Sequence, residues 1–312
     1  VERLSVFVFA GMLVALANWL TVLAFRLPSQ RYDWIGLATL FGAGLLNGGL
    51  ASMLALLGYF ALGNLLDIPT TLRLVDLARP THPLMRQLLL KAPGTYHHSI
   101  LVSNLAEEAA ERIGADPLLA RVGAYYHDIG KTLRPYFFVD NQTDGDNIHD
   151  RLDPETSAHI IVSHVKDGID LARKYDLPKR IVDFIAEHHG TSLATYFYQR
   201  AQESAGDGKA DPTRYQYPGP KPRSKETAIL MLADACEAAV RSLRPATAEE
   251  IETIVRNIIA DRMQNGQLDD SNLTLRDLDE IRAAFTATLQ GVFHPRIRYP
   301  GQEQKGRNGN DR

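Results

Sequence analysis

The chain has 312 residues, a formal net charge of −3 from 34 basic and 37 acidic side chains, and a single cysteine, Cys236. So balanced a charge argues against a protein that binds nucleic-acid polymers through a broad basic face. One cysteine excludes an internal disulfide framework and fits a reducing compartment. The length accommodates one membrane region and one sizeable globular domain.

The mean hydropathy of −0.18 averages an apolar N-terminal part with a polar remainder. The chain begins at Val1, almost inside an apolar run, and reads as part of a longer protein. Ser5 to Phe25 contains no charged side chain and is long enough to cross a bilayer. After a short polar turn from Arg26 to Asp33, a second uncharged stretch runs from Trp34 to Leu66. That stretch is either one long tilted helix or two segments broken at Asn47-Gly48-Gly49. Residues 1–66 are thus expected to be transmembrane helices in a lipid bilayer. Residues 67–92, punctuated by Pro80 and Pro83, read as a juxtamembrane connector.

The remainder is helical by period and by capping. Ile100, Leu101, Leu105, Ala109 and Ile113 mark the apolar face of a helix ending at Gly114. Asp116-Pro117 starts the next helix, which delivers His127-Asp128, and Asp153-Pro154 starts one running to about Tyr175. Pro178 opens a short helix ending at His188-His189-Gly190, and Ser224 caps another through Leu243. Thr247 with Glu250 and Thr274 with Asp277 form capping boxes for the last helices. Gln202 to Ser224, rich in Gly, Pro, Lys and Arg, reads as a surface loop, and residues 301–312 as a disordered tail. No stretch alternates like a strand. The expected fold class is all-α: transmembrane helices followed by a helical bundle.

Tyr125-Tyr126-His127-Asp128-Ile129-Gly130-Lys131 is where chemistry concentrates. Consecutive helical side chains diverge by about 100°, so His127 and Asp128 can grip one metal from two sides or reach two metals. Gly130 lets the helix end and leaves Lys131 free to lean over a metal-held anion. The candidate ligands are His98, His127, Asp128, His164, His188, His189 and Asp234, drawn from separate helices as bundle metal sites are. So many nitrogen and oxygen donors exceed the needs of one metal. With Asp128 bridging, they suit two divalent transition metals such as Mn or Fe. Such a pair points to phosphoester hydrolysis, with a hydroxide held between the metals as nucleophile and with Asp128 and Lys131 as catalytic groups. Spacing alone does not choose between His97 and His98, or between His159 and His164. His188-His189 also fits a helix C-terminal cap. Asp234, among Met231-Leu232-Ala233, would be costly without a partner, and a ligand role supplies one. His82, His149 and His294 are given no role.

Several motifs together resemble a known family. They are Gly94-Thr95-Tyr96-His97-His98-Ser99, Val122-Gly123-Ala124-Tyr125-Tyr126-His127-Asp128-Ile129-Gly130-Lys131, Arg134-Pro135-Tyr136-Phe137-Phe138, Ile161-Val162-Ser163-His164-Val165-Lys166-Asp167-Gly168, Glu187-His188-His189-Gly190-Thr191, Tyr217-Pro218-Gly219-Pro220-Lys221-Pro222 and Leu232-Ala233-Asp234. In this order they resemble the seven-transmembrane HD-domain proteins, membrane-bound bacterial phosphodiesterases of cyclic di-AMP. The resemblance spans residues 66–300. It implies an HD domain over residues 93–300, placed in the cytoplasm, with a dinuclear Mn or Fe centre that linearises cyclic di-AMP to 5′-pApA. It selects His98 over His97 and His164 over His159, and matches Asp234 to the family's last aspartate. Lys131, Tyr217 and Lys221 are the candidate substrate contacts, with the Tyr217–Lys221 loop alternatively only packing on the domain. A homodimer is compatible with the sequence. The family's extracytoplasmic domain and further spans lie outside this sequence.

The nearest rival is the related class acting on cyclic di-GMP, which carries a Gly-Tyr-Pro motif soon after the paired histidines. Here His188-His189 is followed by Gly190-Thr191-Ser192-Leu193. A single-metal nucleotidase would leave His164, His188 and His189 without a purpose. A non-catalytic membrane-tethered nucleotide sensor is opposed by the complete ligand set.

Overall fold

A computed structural model describes residues 2–26, 33–65, 67, 69–142, 147–205, 209–245 and 247–292. The polar turn expected after Arg26, the tail from 301 and His294 therefore lie outside the described residues. The chain divides into two compact units, Val1–Thr70 and Thr71–Arg312.

The first unit is a pair of packed helices, α1 (Glu2–Arg26) and α2 (Trp34–Leu65). Helix α2 is continuous through Asn47-Gly48-Gly49, so the single-helix alternative holds. At 32 residues it is roughly 48 Å long, more than a bilayer's hydrocarbon core requires. Ser52 donates a hydrogen bond to the Phe7 carbonyl across the pair at 3.2 Å. Large apolar side chains remain uncovered on both helices, including Phe9 at 62% and Leu46 at 71% exposure. A helix apolar on nearly every side and so little buried fits a lipid environment rather than water.

The second unit is a helical bundle. It comprises α3 (Thr71–Leu77), α4 (Pro83–Lys91), α5 (Pro93–Arg112), α6 (Pro117–Tyr126), α7 (Pro154–Lys174), α8 (Lys179–Glu187), α9 (Thr195–Ser204), α10 (Lys225–Leu243), α11 (Ala248–Gln264) and α12 (Leu275–Val292). Short 3₁₀ turns between Ile129 and Arg151 join α6 to α7. No strand occurs among the described residues; Leu193 and Gln216 form an isolated bridge.

The caps read from sequence are made. Asp116 accepts from the Leu119 amide at 3.0 Å and Asp153 from the Thr156 amide at 2.9 Å. Ser224 pairs reciprocally with Thr227, Thr247 with Glu250 and Thr274 with Asp277.

Three segments differ from the sequence reading. The supposed connector folds into the bundle: Leu74, Leu77, Leu84, Met85 and Leu88 enter the main core with Val102, Tyr126 and Phe184. The Tyr126 hydroxyl also donates to the Leu77 carbonyl at 2.7 Å. Each buried leucine contributes on the order of 1.5–3 kcal/mol, more than enough to fix helices this short. Second, α9 has no counterpart in the sequence reading, and the expected surface loop behind it is partly internal. Tyr215 packs with Ala158, Phe197 and Ala201 in a small second core, and Tyr217 is 7% exposed. Aromatic anchors in a Pro- and Gly-rich segment give it a core of its own.

Third, Gly130 does not end a helix by a left-handed turn. It lies within the 3₁₀ turn Ile129–Leu133 that follows Asp128. A Cβ there would sit 1.9 Å from the His164 carbonyl oxygen and 2.6 Å from the Gly168 amide nitrogen. Glycine is needed for close approach to α7, which sets Asp128 beside His164.

Candidate metal centre

The site forms where α5, α7, α8, α10 and the end of α6 converge. His98 comes from α5, His127 and Asp128 from the end of α6, His164 from α7, and Asp234 from α10. His188 and His189 follow α8, where Gly190 takes a positive φ of 53° and turns the chain away. His97 and His159 are exposed on the outer faces of their helices, whereas His98 and His164 are buried.

The ligand candidates fall into overlapping groups whose donor atoms lie within 4.8 Å of one another: His98, His127 and Asp234; His164, His188 and His189; His127, Asp128 and His188. Asp128 stands between the first two. Its Oδ1 is 3.2 Å from His164 Nε2 and 3.8 Å from His188 Nε2. Its Oδ2 is 3.3 Å from His127 Nε2 and 3.8 Å from His98 Nε2. Asp234 Oδ1 lies 3.0 Å from His98 Nε2 and 3.9 Å from His127 Nε2, while its Oδ2 lies 3.9 Å from His189 Nδ1.

The outward nitrogens of these rings are held by partners. His127, His164 and His188 each direct Nδ1 at the backbone carbonyl three residues earlier: Ala124 at 2.7 Å, Ile161 at 2.6 Å and Ile185 at 2.9 Å. Donating there fixes the tautomer and leaves Nε2 as an inward lone pair. His164 Nε2 and His188 Nε2 then face each other at 3.2 Å, a repulsive apposition that a cation relieves. His127 Nε2 is buried without a hydrogen-bond partner. Burial, followed by the neighbouring His127 and His164, pushes the His188 pKa down to about 3, so it is a neutral donor at physiological pH. Burial likewise depresses His189, with His188 adding to the effect. Nitrogen and oxygen donors in a buried, water-poor cluster fit divalent transition cations.

His98 is different. Its Nδ1 meets Glu237 Oε2 at 2.5 Å. Burial opposes protonation of His98, yet the hydrogen bonds to Asp234 and Glu237 outweigh it and raise the pKa to about 10. Burial would raise Asp128 and Asp234, but both carboxyls are held well below the usual range: Asp128 chiefly by Lys131 and His127, Asp234 chiefly by His98.

Lys131 Nζ lies 2.6 Å from Asp128 Oδ2 and 3.6 Å from Asp140 Oδ2. Burial would lower its pKa, but Asp128 and Asp140 raise it further, so it stays a cation at the edge of the cluster. Its ammonium also sits 5.3 Å from the centre of the Phe138 ring. Arg241 closes the circuit, reaching Asp140 Oδ1 at 2.6 Å and Glu237 Oε1 at 3.1 Å. Sequence reasoning missed Asp140, Glu237 and Arg241. Glu237 and Arg241 follow Asp234 at three and seven residues, on one face of α10, which is the signal that points to them.

The structure divides the candidate substrate contacts. Tyr217 stacks on His189, ring centres 4.1 Å apart, and burial pushes its phenol pKa up. Lys221 is outside the cluster. Its ammonium lies 3.6 Å from Asp269, and it lines a separate polar cavity with Thr191, Gln216, Arg262, Asn265 and Gln267.

The HD-domain family profile matches residues 95–239. The chain is 46% identical over 298 residues to the cyclic-di-AMP phosphodiesterase PgpH of Bacillus subtilis, covering 95% of this chain and 41% of that protein. It is 45% identical over 302 residues to the cyclic-di-AMP phosphodiesterase PgpH of Listeria monocytogenes, covering 96% of this chain and 42% of that protein. It thus spans about two fifths of the length of these relatives. The crystal structure of the L. monocytogenes phosphodiesterase PgpH HD domain in complex with cyclic-di-AMP matches with a TM-score of 0.66 and 49% identity, over 69% of this chain and 100% of that one. With about half its residues shared across that entire domain, the chain belongs to the HD-domain family, in the branch of the PgpH phosphodiesterases.

Proposed function

We propose that this chain is the membrane-anchored catalytic part of a phosphodiesterase that opens cyclic di-AMP to 5′-pApA at a centre of two divalent metals, Mn or Fe. The observation that carries the reading is the Asp128 carboxylate, with one oxygen toward His164 and His188 and the other toward His98 and His127. Kinship with an HD domain solved with cyclic-di-AMP supplies the substrate. Helices α1 and α2 lie in the bilayer, and the second unit faces the cytoplasm, where a nucleotide second messenger is found.

When bound, the metal pair supplies Lewis-acid charge at the phosphodiester and a nucleophilic water at neutral pH. The residues of the chain do the rest. Asp128 orients the attacking water, holding it in line with the phosphorus–oxygen bond to be broken. Lys131, already charged, moves from Asp128 toward a phosphoryl oxygen and stabilises the negative charge that develops there. Asp140 keeps that ammonium at the edge of the cluster during the exchange. Tyr217 stacks against His189, holding that ligand's ring and forming one wall of the substrate cleft.

Lys131→Ala is expected to lower kcat/KM by about 10²–10³-fold while metal content stays at the wild-type level. An unchanged kcat/KM would remove Lys131 from the mechanism.

Metal binding is also expected to strengthen as pH rises from 6 to 8. His98, with its pKa near 10, must give up its proton to become a ligand, so acid competes with the metal. Competition titrations at several pH values would show affinity climbing by up to about tenfold per unit; an affinity independent of pH would contradict it.

The assignment itself is tested by giving the metal-loaded chain cyclic di-AMP and cyclic di-GMP in parallel. Selective conversion of the adenine compound to pApA is the expected result. Preference for the guanine compound would keep the chemistry and overturn the substrate. Binding without turnover would leave a nucleotide sensor.

A further inference from the structure

The two groups of ligands are not equivalent. Imidazoles His164, His188 and His189 form one of them; Asp128 is its nearest carboxylate, with Asp234 Oδ2 farther off at 3.9 Å from His189 Nδ1. Two of those rings are backed by neutral backbone carbonyls. His98 and His127 form the other group with Asp234, whose Oδ1 lies 3.0 Å from His98 Nε2, closer than its Oδ2 comes to His189. Behind His98 stands Glu237, 0% exposed, with an oxygen 2.5 Å from Nδ1.

A carboxylate behind a ligand histidine makes the imidazole a stronger donor and adds negative charge at short range. In the dry interior of the bundle that charge is weakly screened. Arg241 does not simply cancel it. The guanidinium is shared between Glu237 at 3.1 Å and Asp140 at 2.6 Å, so it fixes the carboxylate plane while its own charge is drawn to a second anion. Glu237 therefore both orients the His98 ring and biases its group toward cations.

We propose that the two metal positions are unequal by construction, and that Glu237 is the positioning residue that makes the His98–His127–Asp234 position fill first. This rests on the two-metal reading above and extends it. The all-imidazole position then fills second and more weakly. Its most exposed member is the His189 side chain at 24%, against Asp234 at 14% in the other group. Hydrolysis, which needs both positions, follows occupancy of the weaker one. The enzyme becomes responsive to free divalent metal over a range set by His164, His188 and His189.

The test uses the full metal-free chain in detergent, titrated with Mn²⁺ alone and followed by calorimetry and electron paramagnetic resonance. Wild type is expected to take up a first equivalent giving an isolated Mn²⁺ signal, then a weaker second that converts it to a spin-coupled pair. Glu237→Gln, which keeps shape and hydrogen bonding but removes the charge, should weaken the first step by about 10–100-fold and leave the second group's intrinsic affinity in place. His189→Gln provides the opposite case: the first equivalent binds as in wild type and the coupled signal disappears. Two equivalents of equal affinity in wild type, or equal weakening of both steps by Glu237→Gln, would overturn the proposed order. Uptake of one equivalent only would instead overturn the two-metal reading on which it rests.

Discussion

Asp128→Ala is expected to lower hydrolysis by at least about 10³-fold and to reduce metal content, while far-UV circular dichroism still reports a helical protein. The carboxylate is 1% exposed and lies within 3.8 Å of His98, His127, His164 and His188. Asp234 also faces both groups, but its Oδ2 comes only to 3.9 Å from His189 Nδ1, whereas Asp128 Oδ1 is 3.2 Å from His164 Nε2. Removing Asp128 also strips Lys131 of its nearest counter-charge, leaving the ammonium beside Asp140 alone. Alanine frees space but supplies no donor, and water filling the gap lacks the fixed negative charge of the carboxylate. Turnover near the wild-type rate in a variant with measured metal would show that Asp128 does not bridge.

Gly130→Ala should be strongly damaging although it removes no proposed ligand side chain. The added Cβ would meet the His164 carbonyl oxygen at 1.9 Å and the Gly168 amide nitrogen at 2.6 Å, both backbone atoms that no rotamer change can move aside. The turn after Asp128 and α7 must separate, which costs about 1–3 kcal/mol and lowers Tm by roughly 2–12 °C. The same separation draws Asp128 Oδ1 away from His164 Nε2, so metal affinity should fall together with stability. A melting temperature and metal affinity equal to wild type would mean that the two segments do not pack this closely.

Much of this site is legible in the sequence because helical period carries it. His98 shares a face of α5 with Val102, Leu105 and Ala109, all buried, at intervals of four, three and four residues. His97, one residue away, is rotated by about 100° and faces out. His159 precedes His164 by five residues and is turned by about 140° around α7. Spacing alone leaves both pairs open and the family resemblance makes the choice; the buried faces of α5 and α7 supply its physical reason. The capping residues are equally local, and each sits where its side chain can reach an amide three positions on.

Apart from Glu237 and Arg241, which share a face of α10 with Asp234, what escaped was non-local. Asp140 matters because a 3₁₀ turn brings it to Lys131 and Arg241, and no spacing in the sequence predicts that meeting. The helices α3 and α4 read as a connector because they are short and broken by prolines. Their leucines reveal a core role only when opposed by Tyr126 and Phe184. Tyr217 sat in a segment whose Gly and Pro content suits a loop, and the stack on His189 depends on where the loop returns. Gly130 was recognised, but for helix termination; the requirement is the nearness of α7.

The proposed reaction requires two divalent metals at the cluster around Asp128. Its most direct test is cyclic di-AMP hydrolysis measured as Mn²⁺ is titrated into metal-free protein, with bound metal quantified at every point. Negligible turnover at one equivalent and activity that rises with the second is the expected result. Full activity at a single bound equivalent would contradict it.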